Sequence, residues 1–300
     1  MERNRTAGGV PGVLLLLAAP MAATPCACAP ARDVRAPAGE IQLLVRADDI
    51  GFCHAANVGC LRACREGIAR TVEVMPACPW FLEAAEMLRA EPDLDVGVHL
   101  TLTSEWTSYK WGPITRAPSL VTPEGHFHAS TKAFREGGPK ADEVERELRA
   151  QIELARRHIP QVSHLSAHMG TPTCTPELRK VVEKLSAETR LPLRLEGVTG
   201  GFGFWATTPE KKQDALAEWL AKLEPGRYLL VCHPCLDTPE SRAVQGPGPD
   251  ANARMAVHRQ AVTDALTSDR IREIIRRRGI ELVSYADVLK AGNPPDAAGR

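Results

Sequence analysis

The chain lacks a surplus of charge of either sign: 37 Lys and Arg offset 37 Asp and Glu. Without a basic field there is nothing to hold a phosphate backbone, so nucleic acid is not an expected partner. A membrane span is lacking too. The apolar run Val10–Ala19 is too short to cross a bilayer comfortably. No internal repeat or low-complexity tract is present, which argues against solenoids and disordered arrays. Cysteine is not scarce, at nine residues, but two of these lie near the start and leave an odd seven. Cys60 and Cys64 fall one helical turn apart, and Cys232 and Cys235 flank His233-Pro234. A zinc knuckle needs a second close pair, and none exists; free thiols are the simpler reading.

The beginning reads as a targeting segment. Arg3 and Arg5 precede the Val10–Ala19 run, and the small residues Ala22-Ala23 follow, as in a secretory leader over 1–29. Cys26 and Cys28 raise the alternative of a lipid anchor, but Ala23-Thr24-Pro25 suits such a signal poorly. The expected location is therefore periplasmic or extracellular. A linker over 30–40, a main domain over 41–290 and a disordered tail over 291–300 follow.

Within the main domain, short apolar runs alternate with amphipathic ones. Strands are expected at Gln42–Ala47, Thr71–Met75, Asp95–Leu102, Val162–Leu165, Leu193–Glu196, Arg227–Cys232 and Ile280–Val283. Helices are expected at Ala55–Glu66, Trp80–Arg89, Ala141–Arg157, Pro176–Thr189, Glu210–Leu223 and Asp269–Arg278. This alternation implies an α/β fold with a parallel sheet. Seven strands fit a (β/α) barrel-like plan, incomplete relative to eight, better than an open sheet. The stretch Thr103–Gly138 has no clear period, and a long loop in a compact domain is usually functional.

The chemistry concentrates at the carboxyl ends of the strands, where α/β folds build their sites. The first strand runs into Asp48-Asp49, two adjacent carboxylates that conflict unless a cation or a proton divides their roles. In Val96–Leu102 the alternation puts His99 with Gly97, Thr101 and Thr103, on the face opposite the valines and leucines. His164-Leu-Ser-Ala-His168 ends a strand before Gly170-Thr171-Pro172, which places His168 in the loop and leaves His164 outside the coordination. Asp49, His99 and His168 are thus the candidate ligands of one divalent metal. His233 closes another buried strand and can carry a proton near neutrality. Trp106, Tyr109 and Trp111 of the long loop offer either a platform for a sugar face or core packing. Trp111 and Arg116 are the expected substrate contacts.

Taken together, Ala47-Asp-Asp-Ile-Gly51 with Asn57, Val96-Gly-Val-His-Leu-Thr-Leu102, His164-x-x-x-His168-Met-Gly170, Val231-Cys-His-Pro234 and the closing Arg259…Ala286 stretch resemble the YdjC-type carbohydrate deacetylases. The resemblance covers roughly residues 41–290. It implies a barrel-like fold and a metal-dependent hydrolase that removes N-acetyl groups from amino sugars. The family's metal ligands fall on Asp49, His99 and His168, and its neighbouring Asp on Asp48. On this reading Asp48 takes a proton from water and His233 protonates the departing amine. Family resemblance implies Mg2+, whereas two imidazoles and a carboxylate suit Zn2+ or Mn2+. The expected partners are an acetylated amino sugar and a second copy of the chain in a homodimer.

Two departures stand out. Ser166 occupies a place where the family carries an Asp that could steady a ligand imidazole. A Ser would do so more weakly, so Ser166→Asp is expected to tighten metal binding. Arg46 stands where Asn is usual. Two other functions remain open. A metal-dependent phosphoesterase would need a cation for phosphate, with Arg46 and Arg116 as candidates. A sugar-binding protein with impaired catalysis would keep the barrel and the aromatics.

Overall fold

The computed structural model describes residues 39–193, 195, 197–246 and 255–292. The expected leader (1–29), nearly all of the linker (30–40) and nearly all of the tail (291–300) lie outside the described residues. Among the described residues no helix is long and apolar enough to cross a membrane.

Seven parallel strands are described: β1 (Ile41–Ile50), β2 (Thr71–Val74), β3 (Asp95–Leu100), β4 (Val162–Ala167), β5 (Thr199–Phe202), β6 (Gly226–Cys232) and β7 (Ile280–Val283). Their order is β4-β3-β2-β1-β6-β5, with β7 paired to the first half of β1. Longer helices follow the strands: α1 (His54–Arg65), α2 (Phe81–Arg89), α3 (Thr131–Glu136), α4 (Ala141–His158), α5 (Pro176–Thr189), α6 (Lys212–Ala221), α7 (Pro239–Ala243), α8 (Met255–Leu266), α9 (Asp269–Arg278) and α10 (Tyr285–Gly292). No pairing joins β4 to β5 among the described residues, so the seven-stranded sheet is not closed by hydrogen bonds.

The sheet is nevertheless strongly curved. Three strand spacings separate β1 from β4, about 14 Å in a flat sheet. Yet the Nδ1 of His168, just past β4, lies 3.4 Å from Asp49 Oδ1 on β1. Two short side chains cannot bridge the flat distance; the strand ends curl toward one another as in a barrel.

One expected strand is displaced. Leu193 and Leu195 are not in a strand, and Arg194 and Glu196 lie outside the described residues. Pairing with β6 starts later, at Thr199-Gly200-Gly201-Phe202, through Thr199↔Tyr228 and Gly200↔Leu229. Leu195 packs instead against the small cluster of Leu44, Val283, Tyr285 and Val288. The apolar pattern marked burial there, and the glycine-rich pairing segment carried no such pattern.

Helix α4 shows how the layers serve the cleft. Val144, Leu148, Ile152 and Ala155 recur on one buried face, the spacing of a helix against a sheet. Asp142 and Glu143 in its first turn and Arg156, Arg157 and His158 in its last suit the helix dipole. Its buried polar residues hold the long loop. Gln151 pairs with both backbone groups of Thr101, Glu147 accepts from the N–H groups of Ile114 and Thr115, and Glu143 accepts from that of Ser119. A loop with its buried backbone groups satisfied in this way is an ordered wall.

Candidate active site

In a regular strand Asp48 and Asp49 would point to opposite faces. They do not, because β1 carries a bulge at this point: its register against β2 shifts between Asp48 and Ile50, and Asp49 has φ +76°. A positive φ is strained for a residue with a Cβ. The kink turns both carboxylates into one cleft, with His99 Nε2 lying 3.7 Å from Asp48 Oδ2 and 3.6 Å from Asp49 Oδ1. Gly51 (φ +99°) completes the turn, and Asn57 on α1 fixes it by accepting from the Gly51 N–H at 2.6 Å.

The two acids have opposite surroundings. Asp48 is gripped by Arg46, with Nε to Oδ1 at 2.7 Å and Nη2 to Oδ2 at 2.9 Å. Even so, burial outweighs the guanidinium and lifts Asp48 to about 7. Asp49 faces Arg259 Nη2 at 2.8 Å and His233 Nε2 at 4.0 Å. Burial would raise it as well, but Arg259 and then the neighbouring histidines hold it well below the carboxylate range. One acid is thus poised to exchange a proton near neutrality, while the other stays ionised.

Asp49, His99 and His168 each offer one donor atom, all within 4.8 Å of one another, and all three residues are buried. Asp49 Oδ1 has no hydrogen-bond partner despite its burial, an expensive state for an ionised oxygen unless a cation answers it. Burial keeps His99 neutral, at about 3. Burial also opposes charge on His168, yet Glu105, at 3.2 Å from Nε2, and Asp49 raise it to about 10. Two carboxylates thus draw one positive charge to this ring, and a cation shared with Asp49 would supply it while releasing the proton. One carboxylate and two imidazoles around an orphaned oxygen fit a divalent ion.

Deeper in the sheet lies a row that sequence reasoning missed. Asp48, Glu73, Gly97 and His164 are successive register partners across β1 to β4. Glu73 and His164 meet over β3, with Nε2 to Oε1 at 2.6 Å. They can do so because residue 97 is glycine: a Cβ there would collide with both. His164 therefore serves Glu73 and stacks on Tyr285 at 3.9 Å, apart from the cluster of Asp49, His99 and His168. Ser166 is not a weakened isolated support. Its hydroxyl contacts His99 Nδ1 at 2.6 Å and donates a short hydrogen bond to Glu73. Burial would raise Glu73, but His164 above all, followed by Arg46 and His99, brings it to about 2. The expectation that an added carboxylate at 166 tightens metal binding is therefore reversed: it would meet a buried carboxylate already in place.

Arg259, named in the sequence only as the start of the closing stretch, is another residue whose role went unread, as did those of Glu105 and Trp205. Arg259 lies on the buried face of α8, with its guanidinium 5.6 Å from the ring centres of both Phe52 and Trp106. A lone Arg on an apolar helix face, or a Glu inside Thr71-Val-Glu-Val74, needs a buried partner; that was the available signal for each.

The cleft holds ≈480 Å3, and Asp48, Asp49, His99, His168 and His233 line it with Trp106, Met169 and Trp205. Trp111 and Arg116 do not. Trp111 is buried, its indole N–H donates to the Thr103 carbonyl at 2.9 Å, and its ring lies edge-on to Phe52 at 5.7 Å. Arg116 is exposed, away from the cleft lining. Of the two readings of the loop aromatics, Tyr109 and Trp111 take the packing role around Phe52. Trp106 both packs on Phe52 and reaches the cleft. The exposed aromatic wall is Trp205, 71% accessible and 4.7 Å from the His233 ring.

The family profile described as YdjC-like protein matches residues 42–277, which include every residue of this cleft. The chain belongs to the YdjC-like family. Among its relatives, the carbohydrate deacetylase of Thermus thermophilus is 34% identical over 231 residues, covering 69% of this chain and 82% of that protein. The carbohydrate deacetylase of Vibrio parahaemolyticus is 26% identical over 258 residues, covering 83% and 97%. The crystal structure of an Enterococcus faecalis protein named for cellobiose-phosphate cleavage superposes with a TM-score of 0.69 at 26% identity, covering 82% of this chain and 98% of that one. The YdjC-like match thus runs from β1 through most of α9 and takes in the cleft from Asp48 to His233.

Proposed function

We propose that this YdjC-like chain is a divalent-metal-dependent carbohydrate deacetylase, hydrolysing the N-acetyl groups of amino sugars or their oligosaccharides to acetate and free amine. The observation that carries the reading is the division of labour between neighbouring acids. Asp49 faces two imidazoles with an orphaned oxygen, while Asp48, at about 7, is held ready by Arg46. Relatives named carbohydrate deacetylase support the same chemistry.

Asp49, His99 and His168 would hold the ion. When bound, it supplies Lewis acidity and a more acidic water. Mg2+ follows from the family resemblance, whereas the donor set favours Zn2+ or Mn2+. Asp48 accepts the proton of the attacking water, and Arg46 prevents it from swinging away. Burial, reinforced by Arg259, keeps His233 neutral at rest, at about 3. The proton that Asp48 takes from water ends on the departing amine nitrogen; passed to His233 it makes an imidazolium, in such a place a strong acid suited to handing that proton on. Trp205 supplies a face for the sugar ring beside that nitrogen.

A phosphoesterase would want a cation free to meet phosphate. Of the arginines lining the cleft, Arg46 is committed to Asp48, and Arg259 to Asp49 through Nη2, its Nη1 being buried without a hydrogen-bond partner. The reading is tested by acetate release from acetylated chitooligosaccharides, alongside p-nitrophenyl phosphate, with chelator and with added Mg2+, Mn2+ or Zn2+. Metal-dependent acetate release is expected. Phosphate release without acetate release would overturn it.

A further inference from the structure

We propose that Glu73, acting through the Ser166 hydroxyl, is a positioning residue that fixes the tautomer and aim of His99 and so sets the metal affinity of the site. The inference rests on the metal reading above and goes beyond it to a residue that touches neither ion nor substrate.

Ser166 has one hydroxyl hydrogen and two close partners. One is the Glu73 carboxylate, which can only accept; the other is His99 Nδ1 at 2.6 Å. The hydrogen therefore goes to Glu73, and the hydroxyl oxygen accepts from the Nδ1–H of His99. With its proton on Nδ1, His99 presents a bare Nε2 lone pair, and that atom lies 3.6 Å from Asp49 Oδ1. The chain Glu73–Ser166–His99 is thus a carboxylate–histidine support with a hydroxyl inserted. All three residues are buried, so the Ser166 hydroxyl is the partner that decides which ring nitrogen of His99 carries the proton.

Glu73 is itself held in place. His164 Nε2 lies 2.6 Å from it, Arg46 Nε lies 3.7 Å away, and Gly97 leaves the room in which Glu73 and His164 meet. His164 is anchored in turn through Ser163, which donates to Asp95 at 2.5 Å. Register also permits the carboxylate to sit elsewhere. Ser166 is the direct partner of His99 across β3 and β4, so an acid at 166 would reach the same Nδ1 without an intermediary. The site has room for one such charge, supplied from β2 or from β4.

The test is Zn2+ binding by calorimetry to the metal-stripped full chain and its variants, with thermal unfolding recorded for each. Glu73→Gln and Ser166→Ala should each bind about 10- to 100-fold more weakly, the usual weight of such supports. Ser166→Ala is the cleaner variant, because it leaves the Glu73 pairs with His164 and Arg46 intact. Ser166→Asp alone should bind weakly or fail to fold, since two buried acids then compete for one place. The double variant Glu73→Ser/Ser166→Asp should recover to within a few-fold of the native affinity. Nitrogen-15 NMR of the ring should report the Nδ1–H tautomer of His99 in the native protein and a mixture in Ser166→Ala, a change that a merely structural role would not produce. Native affinity in both Glu73→Gln and Ser166→Ala, beside a crippled His99→Ala, would remove this inference and leave the metal reading standing. A double variant no better than Ser166→Asp would also remove it. Native affinity in His99→Ala would instead remove the metal reading, and the inference with it.

Discussion

The cleft has two walls built on different principles. The inner wall, from β1 to β4, is a lattice of buried polar groups: Asp48 on Arg46, His99 on Ser166 and Glu73, and His164 on Glu73. Almost every donor and acceptor is matched, and the orphaned Asp49 Oδ1 is the place where a cation belongs. The outer wall is Trp205, 71% accessible, in the segment that follows the edge strand β5 with its exposed Gly200 and Gly201. A wall locked by low-dielectric hydrogen bonds fixes reacting groups to within fractions of an ångström. A wall with few such bonds can accommodate a bulky, variable ligand. On the proposed mechanism the metal ligands and the base belong to the first wall, and the contrast points to the second as the place of substrate choice.

The most damaging way to break the inner wall is to remove a ligand. His99→Ala and His168→Ala should each lose metal by more than the about 10- to 100-fold that supporting residues command, with activity falling in step. Metal content of the purified variants and calorimetry check this, and circular dichroism should show the fold retained. Full occupancy in either would disprove the assignment. His164→Ala should spare the ion by comparison, since its ring bonds Glu73 rather than the coordination sphere.

Next in size comes the base. Asp48→Asn preserves shape but cannot accept a proton, so kcat should fall by about 10²- to 10⁴-fold with metal content unchanged. Loss of metal in this variant would make Asp48 a ligand and leave the base role unassigned.

Most of the inner wall was legible in the sequence because its ligands sit where apolar strand patterns stop, and a pattern's end can be read without a structure. Asp48-Asp49, His99 and His168 signal themselves in this way, as does His233 beyond this wall, at the end of β6. What could not be read was the pairing across strands. Glu73 meets Ser166 and His164 only because β2, β3 and β4 align as they do and Gly97 leaves a gap. Arg259 reaches Asp49 from a helix some 210 positions later in the chain, 259 against 49. The bulge that turns Asp49 inward is likewise a register event, visible in φ but not in composition. On the outer wall the apolar run at Leu193 and Leu195 pointed to a strand, whereas the strand that forms carries two glycines. Periodicity reports which side chains are buried, and a strand paired through glycine escapes it.

A third, milder perturbation tests the balance within the inner wall. Asp48 acts as a base only when deprotonated. Its folded value without metal, about 7, lies above the ordinary carboxylate, and a bound cation would lower it, so kcat/KM should fall on the acid side of a limb at or below neutrality. Arg46 is the largest influence holding that value down. Arg46→Gln should therefore move the acid limb to higher pH, by about one pH unit or more on the scale of a close opposite charge. The pH profile at saturating metal is the measurement. An unmoved limb would mean that the titrating group is not Asp48.

The smallest effect is the most telling about the walls, because it sets one residue type against itself. Trp205 is exposed beside His233, whereas Trp111 is buried behind Phe52 with its indole N–H on the Thr103 carbonyl. Removing Trp205 takes away a face but no core, so Trp205→Ala should raise KM for an acetylated oligosaccharide by roughly two- to tenfold, the worth of one aromatic contact, with kcat and Tm nearly unchanged. Removing Trp111 leaves a cavity and an unpaired carbonyl, which costs about 3–5 kcal/mol, or a fall of roughly 10 °C in Tm for a domain of this size. Its KM should hold at temperatures where the variant stays folded. Thermal unfolding and Michaelis kinetics give a Tm and a KM for each variant, and their pattern decides the matter. If Trp111→Ala raised KM while Trp205→Ala left it alone, the substrate would be meeting the long loop, and the assignment of substrate choice to the exposed wall would be wrong.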